Sequence, residues 1–214
     1  MTSTDLHSCQ NVISIADEPH HHLIIDNEWV RAYAVEIPPH ERTLCHLHGT
    51  PYLMYVAGEA EIHNLPRDSA AETQHFSPDH CGFAPAGLEH VVENIGAATF
   101  RNMIFEVLPA TGKLHRPGLG LAHIAGVTVS PLYSGHEICA QLIQLSSGSQ
   151  VQVTGPAIVS SPYESAVELI SPHGGKRKLE RFRQMEFVAA GETGLLRCEW
   201  GGPARALVVT LGCQ

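Results

Sequence analysis

Lysine is scarce in this chain: Lys113, Lys176 and Lys178 are the only three among 214 residues, and 13 basic side chains face 22 acidic ones for a formal charge of -9. A protein that reads nucleic-acid phosphates needs a basic face to displace counterions, so this balance argues against a nucleic-acid partner. Charged residues make up only 16% of the chain and hydrophobic ones 43%, which describes one globular unit or two small ones and not a disordered chain. No run of 18 or more apolar residues occurs, and the opening MTSTDLHSCQ has neither a basic n-region nor an apolar h-region. The expectation is a cytoplasmic chain without membrane contact. The cysteines Cys9, Cys45, Cys81, Cys139, Cys198 and Cys213 include no Cys-x-x-Cys pair, which argues against a zinc knuckle or a thioredoxin-like motif. Reduced thiols are expected. A chain of this length buries roughly 70% of its surface on folding, so disulfide staples are not required.

Helical periodicity is also scarce. Apolar residues recur mostly every second position, in short runs broken by Gly, Pro, Asn and Asp, which predicts an all-β barrel or sandwich. Strands are expected over 22–25, 30–37, 43–48, 53–56, 60–64, 81–84, 90–94 and 100–108, a number and spacing that suit a closed jelly roll. The stretch 109–132 is rich in Gly and Pro and reads as a linker. A second series follows over 138–145, 150–154, 157–160, 166–170, 185–189, 195–200 and 204–211. The two series repeat in order: the segment from Cys81 overlays that from Met185 at an offset of 104, and the segment from Val30 overlays that from Ile138 at an offset of 108. The expected organisation is an arm (1–21), a first barrel (22–108), the linker (109–132) and a second barrel (133–214).

Histidine is abundant, with 15 residues, and is the commonest metal ligand. In Leu44-Cys45-His46-Leu47-His48 the two imidazoles are two residues apart on an expected strand and so share a face. A pair alone is a weak signal, and a third ligand is required. It is offered by Gly82 to Asn94, where Pro85-Ala86-Gly87 predicts a tight turn that delivers a strand beginning at His90.

These two segments together resemble the motifs of the cupin family. Pro85, Gly87, His90 and Asn94 match the family's second motif, with Gly82 slightly closer than usual. His46, His48 and Gly58 match the first, and Pro38-Pro39-His40 occupies the turn that leads into it. The glutamate that the first motif usually carries is missing, since no carboxylate lies between His48 and Glu59. The resemblance therefore implies a double-stranded β-helix (jelly-roll) barrel holding a divalent metal on His46, His48 and His90, the three-histidine variant of the site. It also implies a tandem of two barrels, the second degenerate and metal-free, because Thr154, Pro156 and Gly194 stand at the corresponding positions.

Three neutral imidazoles leave a divalent ion its full charge and favour an anionic or enolisable substrate as a further ligand. Within the family this pattern implies a non-haem Fe(II) dioxygenase acting on a small chelating molecule such as a thiol or diketone. Zn, Ni, Cu or Mn suits the same ligands. The alternatives are a non-redox isomerase or lyase, and a small-molecule-binding barrel without catalysis.

Further candidates are weaker. Arg42 shares the alternation of Leu44, His46 and His48, so it either faces the cavity and binds a substrate carboxylate or pairs on the surface with Glu41. Tyr52, near the vacated glutamate position, is either a proton donor or a rim aromatic. Cys45 is sent to the opposite face and is expected in the core. Glu89 and Glu93 flank His90 without the features of ligands. His20, His21 and His22 read as a solvated leading loop, and His173 to Lys178 as an exposed hairpin tip. Exposed sheet edges favour a homodimer.

Overall fold

The computed structural model describes residues 9, 11–109, 124–198 and 202–212, with 118 and 119 described by their backbone. Apart from one 3₁₀ turn (Ile15–Asp17), every regular element among the described residues is a strand. The short runs of alternating burial, such as the buried positions of Leu88–Asn94 at every second residue from His90, account for this.

The chain divides into two compact units. One contains the described residues up to Leu23 together with Ala32–Glu106, and the other contains Ile24–Arg31 and the described residues from Val107 onward. The first ten strands in chain order are β1 (Ile13–Ser14), β2 (His21–Asp26), β3 (Val30–Ile37), β4 (His46–His48), β5 (Tyr52–Val56), β6 (Ala60–Pro66), β7 (Glu72–Phe76), β8 (His80–Ala84), β9 (Leu88–Asn94) and β10 (Phe100–Val107). They form two five-stranded sheets, ordered β1-β4-β9-β6-β7 and β2-β3-β10-β5-β8. The next ten are β11 (Gly118–Leu119), β12 (Val127–Ser134), β13 (Ile138–Leu145), β14 (Gln150–Thr154), β15 (Ala157–Ser160), β16 (Val167–Ile170), β17 (Lys176–Leu179), β18 (Met185–Val188), β19 (Thr193–Arg197) and β20 (Ala204–Leu211).

Their sheets are ordered β11-β14-β19-β16-β17 and β12-β13-β20-β15-β18, the first pair of sheets with ten added to every label. β13 starts 108 residues after β3, and β20 starts 104 residues after β10. The chain is a tandem of two barrel-like domains of one strand order, differing in that β1 pairs with β4 in parallel and β11 with β14 antiparallel.

Several boundaries differ from the sequence reading. The linker ends early, because β12 begins at Val127 and β11 pairs with Val153 and Thr154; residues 110–117 and 120–123 lie outside the described residues. The arm is not wholly an arm, since β1 pairs in parallel with β4, Ile13 opposite His46. The strands β7 and β17 have no counterpart in the expected set. Both are edge strands made of polar, mostly exposed residues (ETQHF and KRKL), the composition that keeps an open edge from pairing with another chain and that hides a strand from hydrophobic periodicity. The basic run from His173 is thus part turn and part edge strand.

Cys45 is buried, yet it is not a reduced thiol: it forms a disulfide with Cys9, with 5.2 Å between the Cα atoms. The 36-residue separation hides the pair in the sequence, and the pairing of β1 with β4, where Ile13 N donates to Cys45 O at 3.0 Å, closes it. Cys81, Cys139 and Cys198 are free, and Cys213 lies outside the described residues.

The second unit's interior is filled by buried residues that include Val151, Val153, Leu169, Val188, Leu196 and Val208. β14 and β19 (QVQVT and TGLLR) carry no His, Cys, Asp or Glu. Gly155 allows the backbone at the start of β15 to press against the end of β18, because a Cβ there would run into the Val188 and Ala189 carbonyl oxygens. Those obstacles are backbone and cannot swing aside. Gly155→Ala is therefore expected to lower stability by roughly 2–4 kcal/mol, read as a lower urea midpoint for the loss of β-sheet circular dichroism. An unchanged midpoint would show that the two strands can separate at little cost.

Candidate metal centre

His46 and His48 point from β4 to the barrel interior, 0% and 2% exposed, and His90 on β9 stands directly opposite His46 in the ladder. The turn before β9 fixes that register. Gly87 adopts φ +98°, a region that favours glycine, and its N–H donates to His48 O at 2.8 Å. At the far end of β9 Asn94, 1% exposed, donates through Nδ2 to Ile37 O and Ala98 O and accepts from Gly96 N. The motif asparagine is thus a clamp on the loop after the strand.

A fourth imidazole joins these three. His21 opens β2, is buried, and has its ring centroid 4.7 Å from that of His46. His21, His46 and His48 each offer a ligand nitrogen within 4.8 Å of the others. This corrects the expectation of a solvated loop at 20–22. His21 falls one residue before the expected strand, and its burial depends on a carboxylate that sequence reasoning passed over. Glu18, 1% exposed, accepts from His21 Nδ1 at 2.6 Å, from His20 N at 2.8 Å and from Leu44 N at 3.2 Å.

The Nδ1 partners decide what the ring nitrogens can do. His21 Nδ1 donates to Glu18, His46 Nδ1 to Leu44 O at 2.9 Å, and His90 Nδ1 to Asn64 Oδ1 at 2.8 Å. Each of these rings therefore carries its proton on Nδ1 and leaves Nε2 as a lone pair, the outer arrangement that fixes metal-binding histidines. His90 Nε2 lies 3.1 Å from His46 Nε2 and 3.2 Å from His48 Nε2. His46 and His90 both carry the proton on Nδ1, so their facing lone pairs at 3.1 Å repel unless a cation lies between them. Two imidazole nitrogens each about 2.0–2.1 Å from one ion stand about 3.0–3.4 Å apart, so the residues present fit a divalent metal.

Burial and neighbouring imidazoles keep His46, His48 and His90 neutral. Burial, then the charge of His21, holds His46 down at about 4, against the Leu44 carbonyl and Glu18. His48 is pushed well below the ordinary range by burial and by His90, His46 and His21; His90 is pushed the same way by burial, His46 and His21. Burial alone would raise Glu18, but its hydrogen bonds with His21 and His20 outweigh this and hold it at about 2. Acid should therefore destabilise the metal-free barrel. The unfolded chain takes protons near 6.5 while the folded imidazoles resist them, so this contribution to stability is complete above about pH 6.5 and is lost towards pH 4. Glu18 adds a loss in the same direction below about pH 4.5. Urea midpoints at pH 7 and pH 5 should differ in the wild type and differ less in His46→Gln. Equal pH dependence in the two would mean that His46 does not carry the effect.

The sequence candidates fall into two groups. Tyr52 is buried beside the histidines, its ring stacked on His48 at 4.1 Å, and burial pushes its phenol up to about 12. Arg42 is exposed and bridges to Glu93, outside the cavity. The expected alternation fails because β4 begins only at His46: Thr43 and Cys45 are buried and Leu44 is 54% exposed, so residues 42–45 are not a continuation of the strand. Glu89 pairs with Arg67 at 2.6 Å and Glu93 with His63 at 3.4 Å, both away from the histidine cluster.

The four imidazoles lie on the wall of a cavity of about 230 Å³ whose other lining is mainly apolar, with Val35, Ile37, Phe76, Phe100 and Ile104 among it. No family model matches the chain, and no curated protein does. Solved structures do match. AerE from Microcystis aeruginosa superposes with a TM-score of 0.64 at 12% identity, over 91% of this chain and 98% of that one. A cupin 2 conserved barrel domain protein from Leptotrichia buccalis gives 0.56 at 11% identity, over 92% and 89%. A salicylate 1,2-dioxygenase from Pseudaminobacter salicylatoxidans gives 0.57 at 12% identity, over 85% and 70%.

The chain has the cupin fold.

At these identities the likeness concerns the fold alone. In the first barrel His21, backed by Glu18, reaches the His-x-His pair from the other sheet.

Proposed function

We propose that the first barrel is a metal-dependent enzyme site, and that its reaction is the oxidation by dioxygen of a small chelating organic molecule such as a thiol or diketone. The observation that carries this is the convergence of ring nitrogens at 3.1 and 3.2 Å, with the outer nitrogens of His46 and His90 fixed by acceptors, on one wall of an apolar cavity. His46, His48 and His90 would hold the metal, with His21 as a fourth ligand. Iron(II) bound there supplies both redox chemistry towards dioxygen and Lewis acidity towards a chelating oxygen or sulfur. The chain's own residues keep the ligand rings neutral and oriented, and the apolar lining excludes water. That a structural neighbour is a salicylate 1,2-dioxygenase supports this reading.

The test is elemental analysis of protein purified without a histidine tag, followed by oxygen-electrode assays of the iron-loaded protein with thiols and diketones. About one equivalent of iron per chain and substrate-dependent oxygen uptake are expected. A protein that retains no metal after reconstitution would overturn the reading and leave a barrel that only binds small molecules.

Tyr52 favours a second reading, an isomerase or lyase. Its phenol is held protonated by burial and lines the cavity, so it can donate to an oxyanion developing on a bound carbonyl compound. Turnover that continues undiminished without dioxygen and is lost in Tyr52→Phe would select this reading over oxidation.

A further inference from the structure

We propose that the cavity of the first barrel selects a substrate with one chelating head, an uncharged apolar body and, at its far end, a hydroxyl or N–H group that donates to Asn102. This rests on the metal reading for the head and on separate observations for the rest.

Asn102 lies on the inward face of β10 between Phe100 and Ile104, all three lining the cavity. It is 6% exposed, and its Oδ1 is buried without a hydrogen-bond partner. A buried amide oxygen left unpaired costs stability that an apolar residue at the same position would not, so the group fits a partner that arrives from outside. Two other polar lining groups are engaged: Asn64 Oδ1 accepts from His90 Nδ1, and Thr43 Oγ1 accepts from Val92 N.

The ladder places Asn102 away from the imidazoles. Glu106 pairs with Tyr52 and Asn102 with Val56, so Asn102 is four residues further along β10, on the order of 13 Å at roughly 3.3 Å per residue. Head and tip must be at opposite ends of the ligand.

Charge limits the body. Among the described residues no Arg, Lys, Asp or Glu lines the cavity, and Arg42, the cation nearest in sequence to the His-x-His pair, is on the outside. Nothing in the wall offsets a carboxylate or phosphate beyond the single anionic head that a metal on neutral imidazoles would accept. Met54, Asn64, Gln74, Phe76, Ala84 and Leu88 are the half-buried part of the lining, and three of them stand on β7 and β8, which puts the way in on that side.

The experiment uses five probes and isothermal titration: 1-phenylbutane-1,3-dione, its ortho-, meta- and para-hydroxyphenyl analogues, and 4,6-dioxoheptanoate, a diketone with an added carboxylate. Each is titrated into the full chain, metal-free and Co(II)-loaded, as wild type and as Asn102→Leu. At least one hydroxylated isomer should bind wild type about tenfold more tightly than the phenyl parent. Asn102→Leu should erase that advantage. The carboxylated diketone should bind at least about tenfold more weakly than the parent. The proposal is overturned if no isomer outbinds the parent, if the advantage survives in Asn102→Leu, if the carboxylated probe binds best, or if no probe binds either form. The wild-type comparison stands whatever the variant's folding. Absolute affinities that do not rise on Co(II) loading, with the hydroxyl advantage retained, would support Asn102 as the anchor while counting against the metal reading, so the two can fail separately.

Discussion

His46→Ala should reduce the affinity of the metal-free chain for Zn(II) or Co(II) by at least about a hundredfold, because loss of a mere outer partner already costs roughly 10–100-fold. His46 is the hub of the cluster. It is fully buried, its Nε2 is 3.1 Å from that of His90, and its ring lies against His21 and His48 with centroids 4.7 and 5.1 Å away. The measurement is competition with a chromophoric chelator on untagged protein. A purely structural histidine behaves in the opposite way. Truncating it would leave a cavity and cost roughly 2–5 kcal/mol in the metal-free state, with metal affinity untouched. In the present arrangement the substitution removes one of several lone pairs that repel one another. The urea midpoint of the metal-free protein should therefore fall much less than a core truncation predicts, and the loss should appear in metal binding. A large drop in stability with unchanged affinity would refute the site.

Glu18→Gln comes second, with an expected loss of about 10–100-fold in metal affinity and roughly 2–3 kcal/mol in stability. The carboxylate is 1% exposed and takes hydrogen bonds from His21, His20 and Leu44. An amide can still accept from one of them, but its NH₂ group then faces a donor and leaves both unsatisfied. His21 loses the anion that fixes its proton on Nδ1 and aims Nε2 inward, and it competes less well for the metal. The same competition assay separates the outcomes: affinity equal to wild type would take His21 out of the ligand set, whereas a loss as great as that of His46→Ala would mean that Glu18 organises more than one ligand.

The sheet topology and the pair of motifs were legible in the sequence for physical reasons. Strand alternation fixes which residues share a face, so His46 and His48 point together, and the Pro85-Ala-Gly87 turn delivers His90 opposite His46. The duplication was visible in two offsets that strand starts later reproduce. Other features depended on pairings between segments distant in sequence. The disulfide of Cys45 with Cys9 follows from the docking of β1 on β4. Arg42 was misplaced because alternation was extended through residues that are not strand, and β7 and β17 escaped because edge strands carry little apolar signal. His21 was hidden in a histidine tract whose members look alike. Only the fold shows that the first faces Glu18 and Glu41, and that the second is buried against His46.

The division of the chain bears on how the protein can be dissected. The unit that carries the imidazoles is interrupted at Ile24–Arg31, a segment that belongs to the other unit, and the path returns to the second unit only after Glu106. A single cut at that point does not yield two complete halves. The fragment ending at Glu106 keeps all four imidazoles together with Ile24–Arg31, and the complementary fragment lacks that segment. Separate expression of each unit as a whole therefore calls for a rejoined or permuted chain.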